Sequence, residues 1–291
     1  IFLHAANVCP ASRPVMDRHL EFLRDFHGNP SFQNREKYVA IQERLRGKLA
    51  RLMHVTADEI AITRNTSEAS NTVVKGIDLK AGDEILVTSH NHPSNQDSWR
   101  VRAKREGLVV NTVPVPVPAK SPQQLLDGLE KAITPRTRVV AVTHVTNTGG
   151  LRYPVKEIGA MARKHNLWFH LDGAQTCGAL DVDLKAIGCD SYAASAHKWP
   201  MGPLECGGLY VLAERVPELW PSVVTAGWSD KLVGARKFEV FGQRDDPRIA
   251  GSEAAIDFLM RRDMKAVEAR MLYLASDLKK GLSGVGAVEF R

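Results

Sequence analysis

The sequence lacks the features that mark several broad classes of protein. It has no apolar run near the roughly 20 residues that a membrane helix needs, so we expect no membrane-spanning helix. It has no internal repeat and no low-complexity segment, which argues against solenoid and disordered proteins. Its 39 basic and 33 acidic residues give a net charge of +6, but no block of like charges concentrates this excess. We therefore expect neither a nucleic-acid partner nor a membrane partner.

The spacing that metal ligands require is also absent. Four cysteines are scattered along the chain: Cys9, Cys177, Cys189 and Cys206. None of them forms a short paired motif, and His90 and His92 alone give poor metal geometry, so we expect no metal site. Buried free thiols are the simplest interpretation of these cysteines.

The sequence gives two indications of the compartment. Free thiols fit a reducing environment, which makes the cytoplasm the default expectation. The first three residues, however, contain neither an initiator methionine nor the charged start of a signal peptide. This opening indicates an incomplete N-terminus, so a removed leader and an exported form stay open.

Strand-like and helical patterns alternate along the chain, in which 44% of the residues are hydrophobic and 25% are charged. Runs rich in β-branched and apolar residues predict strands at 59–63, 84–88, 108–113, 138–143, 167–171, 191–195 and 208–212. Helical spacing predicts helices at about 35–53, 121–133, 154–165, 253–262 and 265–282, and Ser12 before Pro14 predicts another helix start. Strands that alternate with helices favour an α/β fold, a parallel sheet with helices on both faces. No G-x-G-x-x-G follows the first strand, which disfavours a nucleotide-dependent oxidoreductase.

Polar residues follow the carboxyl ends of successive predicted strands, where open parallel sheets bind their ligands. Thr66 and Ser67 follow the first strand at a helix start, where free N–H groups favour an anion such as phosphate. A plain helix cap is the alternative interpretation of this pair. His92 and Asn147 follow the second and fourth strands, and a structural histidine is the alternative for His92.

Two groups of opposite charge follow the fifth and sixth predicted strands. Asp172 comes directly after an apolar run, where a carboxylate is costly to desolvate unless it meets a cation or donors. Lys198 stands in an apolar setting beside Trp199, although lysine normally prefers water. The polar groups at this edge are a phosphate site, an imidazole ring, an amide, a buried carboxylate and a buried amine. Together they suit one ligand, pyridoxal phosphate. Its aldehyde binds a lysine and its ring nitrogen needs an acidic partner.

The D-G-A-Q segment at 172–175 and the S-A-H-K segment at 195–198 follow these other polar residues in an order typical of one enzyme family. Residues 1 to about 290 resemble the fold-type I pyridoxal phosphate enzymes, and within them the class V aminotransferase family. That family includes cysteine desulfurases, selenocysteine lyases and isopenicillin N epimerase-like proteins. The segments 197–199, 242–245 and 254–259 are more similar to the epimerase-like branch than to the desulfurases.

The resemblance implies a role for each site residue. Lys198 forms the Schiff base and moves the α-proton, Asp172 keeps the ring nitrogen protonated, and His92 stacks on the ring. Gln175 donates to the phenolic oxygen of the ring, with Asn147 close by. Four residues hold the phosphate: Thr66, Ser67, Ser195 and His197.

The resemblance also implies a domain organisation and an assembly. Residues 1–15 are an N-terminal segment that contributes to the active site and the small domain. Residues 16–250 are the large domain, a mainly parallel seven-stranded sheet between helices, and 251–291 begin a smaller α+β C-terminal domain, here incomplete. Family members are typically homodimers with shared active sites, and we expect the crossing at 242–247. The family often has threonine at the position of Gln243, which reaches the phosphate of the neighbouring subunit's cofactor; glutamine can still donate there.

The function implied by the resemblance is bond labilisation at the α-carbon of an amino acid or amine. Aminotransferase or epimerase-like chemistry is the expectation, because no candidate persulfide cysteine stands on an evident mobile loop. Cys206 is expected to be structural, with a role in handling sulfur as the alternative. A cysteine desulfurase, selenocysteine lyase or other C–S β-lyase is the alternative. The segment that holds a desulfurase's nucleophilic cysteine, and the family's carboxylate-binding arginine, would both lie beyond Arg291. A non-catalytic homologue acting as a partner protein is a further alternative, which the retention of the lysine, aspartate and histidine disfavours.

Overall fold

Seven strands form one sheet at the centre of the molecule, and the computed structural model describes residue 4 and residues 6–285. The strands are β1 (Ile60–Thr63), β2 (Glu84–Thr88), β3 (Val109–Val113), β4 (Thr137–Thr143), β5 (Trp168–Asp172), β6 (Ser191–Ser195) and β7 (Gly207–Val211). Their order across the sheet is β1-β7-β6-β5-β4-β2-β3, with β7 antiparallel to both neighbours and the other pairs parallel. Each predicted strand boundary lies within one residue of the observed one. The prediction of a mainly parallel, seven-stranded α/β fold is confirmed.

Helices flank this sheet. They are α1 (Arg13–Gly28), α2 (Phe32–Leu52), α3 (Thr66–Gly76), α4 (Pro93–Glu106), α5 (Pro122–Lys131), α6 (Val155–Lys164), α7 (Leu184–Ile187), α8 (Asp246–Met260) and α9 (Met264–Ser283). Short 3₁₀ helices lie at Ala57–Glu59, Ala213–Glu218 and Gly234–Phe238. Within the described ranges, no helix is both long and apolar enough to cross a membrane.

One helix start agrees with the sequence-based expectation and another differs. Helix α1 begins directly after Ser12 with Pro14 in its first turn, as predicted, although the Ser12 hydroxyl makes no capping hydrogen bond. Helix α8 begins at Asp246 rather than at residue 253, because the Asp245 side chain accepts the N–H of Arg248 and Pro247 fits the first turn. Helix α8 is buried on several sides, so its first turns carry no amphipathic pattern that would reveal them.

Alternate residues of the strands feed two apolar clusters, one on each face of the sheet. In β1, Ile60 and Ile62 join the cluster that contains Leu45 of α2. Ala61, between them, joins the cluster that contains Val73 of α3. Because both faces are covered, the buried strands read as continuous apolar runs, which made them visible in the sequence. The polar residues that end these strands are left at the carboxyl edge of the sheet.

The expected domain boundary at residues 250/251 falls inside α8. Glu253 of α8 accepts from Arg44 at 2.8 Å and from Lys48 at 2.8 Å, both on α2. Helix α8 therefore packs against α2, and its apolar residues share a cluster with Leu45. The division of the chain into two domains stays a prediction. Residues 286–291, which include the apolar pair Val288 and Phe290, lie outside the described residues, as do residues 1–3 and 5.

A buried ion pair joins α2 to Glu239, the residue that directly follows the 3₁₀ helix at Gly234–Phe238. Arg46 is 1% exposed and donates to Glu239 at 2.5 and 2.9 Å and to the Ile60 carbonyl at 2.6 Å. Glu239 also accepts the backbone N–H of Ile62. The pair is thus fully hydrogen-bonded on both sides, and it anchors the edge strand β1.

We expect Arg46→Ala to lower the free energy of unfolding by about 3–5 kcal/mol, because it leaves the Glu239 carboxylate buried without its cation. Urea unfolding monitored by circular dichroism measures this loss. The control is Arg18→Ala, which removes an exposed ion pair with Glu21 and should cost less than about 1 kcal/mol. If both variants lost the same free energy of unfolding, burial of the Arg46–Glu239 pair would not be the reason for its contribution.

Candidate active site

A cavity of about 270 Å³ opens at the carboxyl edge of the sheet and gathers most of the predicted site residues. Nine of them line it: Thr66, Ser67, His92, Asn147, Asp172, Gln175, Ser195, His197 and Lys198. The cavity is further lined by residues that sequence reasoning did not select: Asn7, Asn65, Ser94, Thr143 and Ala174. Of the predicted set, Gln243 alone lies elsewhere in this chain.

The N-terminus of α3 forms one end of the cavity. Asn65, rather than Thr66 or Ser67, caps the helix, because its side-chain oxygen accepts the N–H of Glu68 at 2.9 Å. The Thr66 N–H donates to the Ser195 hydroxyl at 2.9 Å, and the two hydroxyl oxygens lie 2.8 Å apart. Hydroxyls and free N–H groups at the positive end of a helix dipole form an anion site, as a phosphate requires.

The close approach of β7 to α3 permits this arrangement. A Cβ placed on Gly207 would lie 2.4 Å from the Ala194 oxygen and 3.0 Å from the Cα of Asn65. Only glycine therefore fits beneath the helix start. Nearby, the Nδ1 atom of His197 is buried and has no hydrogen-bond partner among the described residues, so it can still bind a ligand oxygen.

Asp172 lies at the centre of the cavity, as the last residue of β5. It is 2% exposed, and one carboxylate oxygen accepts the N–H of Ala174 at 3.0 Å. Burial raises its pKa, while the Ala174 N–H, Lys198 and His92 lower it. A buried carboxylate with one N–H donor calls for a cationic partner, and the protonated ring nitrogen of pyridoxal phosphate fits that requirement.

The turn after Asp172 is closed by tight packing. A Cβ on Gly173 would fall 1.9 Å from a ring carbon of Tyr192. Tyr192 is fully buried, and its hydroxyl lies 2.9 Å from that of Thr176. The glycine after the aspartate is therefore required by the packing of the turn, and it fixes the direction in which the aspartate points.

Lys198 stands in the loop that follows β6. The loop is closed by backbone hydrogen bonds from Met201 to the Lys198 carbonyl at 2.9 Å and from Gly202 to the Ala196 carbonyl at 2.7 Å. The half-buried ammonium has no hydrogen-bond partner among the described residues. Burial lowers the pKa of Lys198, and the nearby Asp172 partly opposes this shift. A lowered pKa increases the neutral fraction of the amine, which is the nucleophilic form.

His92 caps α4 with its imidazole. The Nδ1 atom accepts the N–H of Ser94 at 3.2 Å and lies 2.8 Å from the Ser94 hydroxyl. Since a backbone N–H can only donate, Nδ1 is unprotonated in this arrangement and the ring proton of neutral His92 is on Nε2. Pro93 in the first turn holds the cap in place. The imidazole is thereby oriented at the cavity wall, where a flat ligand can stack on it.

The N-terminal strap, residues 6–9, crosses the mouth of the cavity. Gln175 donates from Nε2 to the Ala6 carbonyl at 2.9 Å, and the Cys9 N–H donates to the His197 carbonyl at 2.8 Å. Asn7 lies between these two hydrogen bonds and lines the cavity. No periodicity or spacing marks Asn7, because only the folded chain brings residue 7 to residues 175 and 197.

Gln243 lies away from the cavity in this chain. Its side-chain oxygen accepts from Arg35 at 2.8 Å on an exposed surface. It helps to line a separate cavity of about 310 Å³, whose charged residues are of both signs: Arg64, Arg244, Arg248, Glu205 and Asp245. The role of Gln243 in a neighbouring subunit's site stays a prediction.

The cysteines are distributed as free thiols. Cys177, Cys189 and Cys206 are buried, whereas Cys9 is partly exposed, which corrects the expectation that all four are buried. Burial raises the pKa of Cys206 to about 11, so this thiol is a poor nucleophile. No cysteine lines the cavity that holds Lys198, and the described residues contain no cluster of three or more potential metal ligands.

Comparisons with known proteins agree with this geometry. The model of the family "Aminotransferase class-V" matches residues 1–291. A probable cysteine desulfurase from Methanothermobacter thermautotrophicus is 30% identical over 99% of this chain and 74% of its own length. An isopenicillin N epimerase from Amycolatopsis lactamdurans is 31% identical over 99% of this chain and 76% of its own length.

Solved structures of two proteins also have a similar fold. A mutant of C-DES with glycine covalently linked to its PLP cofactor superposes with a TM-score of 0.89 at 25% identity, over 97% of this chain and 77% of that one. The apo cysteine desulfurase of Thermococcus onnurineus NA1 superposes with a TM-score of 0.86 at 26% identity, over 98% of this chain and 74% of that one.

Proposed function

The chain belongs to the class V aminotransferase family of pyridoxal phosphate enzymes, and we propose that it performs aminotransferase or epimerase-like chemistry at the α-carbon of an amino acid or amine. One observation carries the proposal. The cavity places a half-buried lysine and a buried aspartate together. This set supports movement of an α-proton, the step on which both aminotransferases and epimerases depend.

Pyridoxal phosphate, when bound, stabilises negative charge at the α-carbon of the substrate through its protonated ring. Lys198 would supply the amine that holds the cofactor aldehyde, and its Nζ would accept and return the α-proton. The Asp172 carboxylate would keep a proton on the ring nitrogen, and His92 would stack on the ring. The hydroxyls at the start of α3, with His197, would hold the phosphate.

The second candidate is a C–S lyase or cysteine desulfurase. A solved complex between the cystine C–S lyase C-DES and its reaction product, cysteine persulfide, superposes on this chain with a TM-score of 0.83 at 26% identity. A lyase that leaves the persulfide on its product needs no cysteine in the cavity. A desulfurase would instead use a cysteine on the segment expected beyond Arg291, so product analysis distinguishes the two reactions.

Nuclear magnetic resonance of the holoenzyme in D₂O distinguishes these candidates. With a panel of L- and D-amino acids, we expect loss of the α-proton signal while the side chain stays intact. In parallel, the enzyme is incubated with cysteine and with cystine, and sulfide, persulfide, alanine and pyruvate are measured. With a thiol reductant added to the cysteine reaction to release the transferred sulfur as sulfide, stoichiometric formation of alanine and sulfide would overturn the proposal in favour of a desulfurase. Release of persulfide with pyruvate would favour a C–S lyase.

We further propose that the protein is a homodimer in which the 242–247 turn reaches the site of the other subunit. The support is the position of Gln243, which binds Arg35 at an exposed surface and does not line the cavity that holds Lys198 in its own chain. Light scattering of the holoenzyme should give twice the mass of one chain. A monomer with bound cofactor would contradict the assembly.

A further inference from the structure

The side-chain amide of Gln175 makes two hydrogen bonds, one to a group that can only donate and one to a group that can only accept. The indole N–H of Trp199 donates to its oxygen at 2.8 Å, and its nitrogen donates to the Ala6 carbonyl at 2.9 Å. An indole N–H can only donate, and a carbonyl oxygen can only accept. Only one of the two amide orientations satisfies both partners, so the usual ambiguity of a glutamine flip is removed.

This orientation determines what the amide presents to the cavity. Gln175 is 8% exposed and lines the same cavity as Asp172 and Lys198. Its nitrogen carries two hydrogens and uses one for Ala6, which leaves one N–H free within the described part of the chain. In the flipped orientation the amide oxygen would replace that donor and repel an anionic ligand atom.

The indole is a rigid support because its loop is braced. Pro200, the next residue, packs against Gly178, where a Cβ would lie 2.9 Å from the Pro200 nitrogen. The backbone hydrogen bond from Met201 to Lys198 closes the same loop. Trp199 is therefore fixed relative to the lysine that precedes it, and the hydrogen-bonded chain from Trp199 through Gln175 to Ala6 connects this loop to the N-terminal strap.

We propose that Trp199 is a positioning residue that locks the Gln175 amide so that its N–H, rather than its oxygen, faces the ring oxygen of the bound cofactor. This inference rests on the proposed function, since it assumes pyridoxal phosphate in the cavity. An N–H donated to the ring oxygen stabilises the form in which that oxygen carries more negative charge. Loss of the lock therefore raises the pH at which the visible band of the bound cofactor changes.

The test is a pH titration of that band in the holoenzyme. Trp199→Phe keeps an aromatic ring but removes the N–H, and we expect its midpoint to rise by about one pH unit. Trp199→His keeps a ring N–H donor, so its titration midpoint should lie nearer to that of the wild type. The matched control is Trp220→Phe, which removes an indole donor from an exposed contact with Asp78. Trp220 does not line the cavity, so the midpoint should stay unchanged.

A double-mutant cycle shows whether the indole acts through the amide. Gln175→Ala alone should raise the midpoint, and adding Trp199→Phe to it should cause no further rise. A Trp199→Phe midpoint equal to that of the wild type, or an equal shift with and without Gln175, would overturn the proposal. A wild-type protein that shows no visible band with pyridoxal phosphate would instead overturn the proposed function, and this inference with it.

Discussion

Replacing Lys198 with alanine is expected to abolish the borohydride-sensitive visible band of the holoenzyme and to lower kcat by at least about 10⁴-fold. The physical reason is that this amine has two duties, holding the cofactor aldehyde and carrying the α-proton. Burial lowers its pKa, and no other lysine lines the cavity. Absorption spectra before and after borohydride, with mass spectrometry of the reduced adduct, measure the first duty. Proton exchange at the α-carbon measures the second.

Two controls separate this loss from unfolding. Lys164→Ala changes an exposed lysine on α6 and should leave spectrum and turnover unchanged. A small primary amine added to Lys198→Ala should restore part of the α-proton exchange, because it replaces the missing Nζ without restoring the covalent attachment. An alanine variant that retains the reducible band would show that another lysine holds the cofactor, and the assignment of the site would be wrong.

The strands could be predicted from the sequence because most of them are buried on both faces. Runs such as Glu84–Thr88 and Ser191–Ser195 therefore stand out against the helical stretches around them. The start of α8 could not be predicted for the converse reason. Its first turns are buried on several sides, and burial in all directions removes the amphipathic periodicity by which a helix is recognised.

The site could be predicted as far as topology determines it. Parallel strands place their carboxyl ends at one edge, so polar residues that follow successive strands, such as Asp172 and Lys198, must converge there. Loop conformation, in contrast, leaves no periodic signal. The contribution of Asn7 and the contact between Trp199 and Gln175 depend on how the strap and the lysine loop fold over the edge. Gln243 shows a third limit, since its expected partner belongs to another copy of the chain.

Two glycines at the site are required by close packing, one beside Asp172 and one beneath the start of α3. Gly173 and Gly207 each stand where a Cβ would collide with neighbouring atoms, and each adjoins an element that aims a functional group. Gly173 fixes the turn after Asp172, and Gly207 allows β7 to pass under the start of α3. The small residues near the site therefore determine where its polar groups point, without contacting a ligand themselves.

Asp172→Asn should lower kcat by about 10²- to 10⁴-fold while the protein still binds pyridoxal phosphate through Lys198. Asparagine has nearly the same shape and can still accept the N–H of Ala174, but it carries no charge to hold a proton on the ring nitrogen. The ring then withdraws electrons less strongly, so negative charge at the α-carbon is less stabilised. The reducible band should persist, and α-proton exchange in D₂O should slow.

The matched control for Asp172→Asn is Asp183→Asn, at the N-terminus of α7. Asp183 accepts the N–H of Ala186 at 2.9 Å, and asparagine caps a helix about as well as aspartate, so folding and turnover should stay unchanged. Replacing the cofactor with an analogue whose ring nitrogen is permanently cationic should restore much of the lost rate in Asp172→Asn, because that analogue needs no carboxylate to keep its charge. If the analogue gave no recovery, the carboxylate would act by positioning alone. Turnover equal to the wild type would show that the reaction does not depend on a protonated ring, which excludes the electron-withdrawing role assigned to this residue.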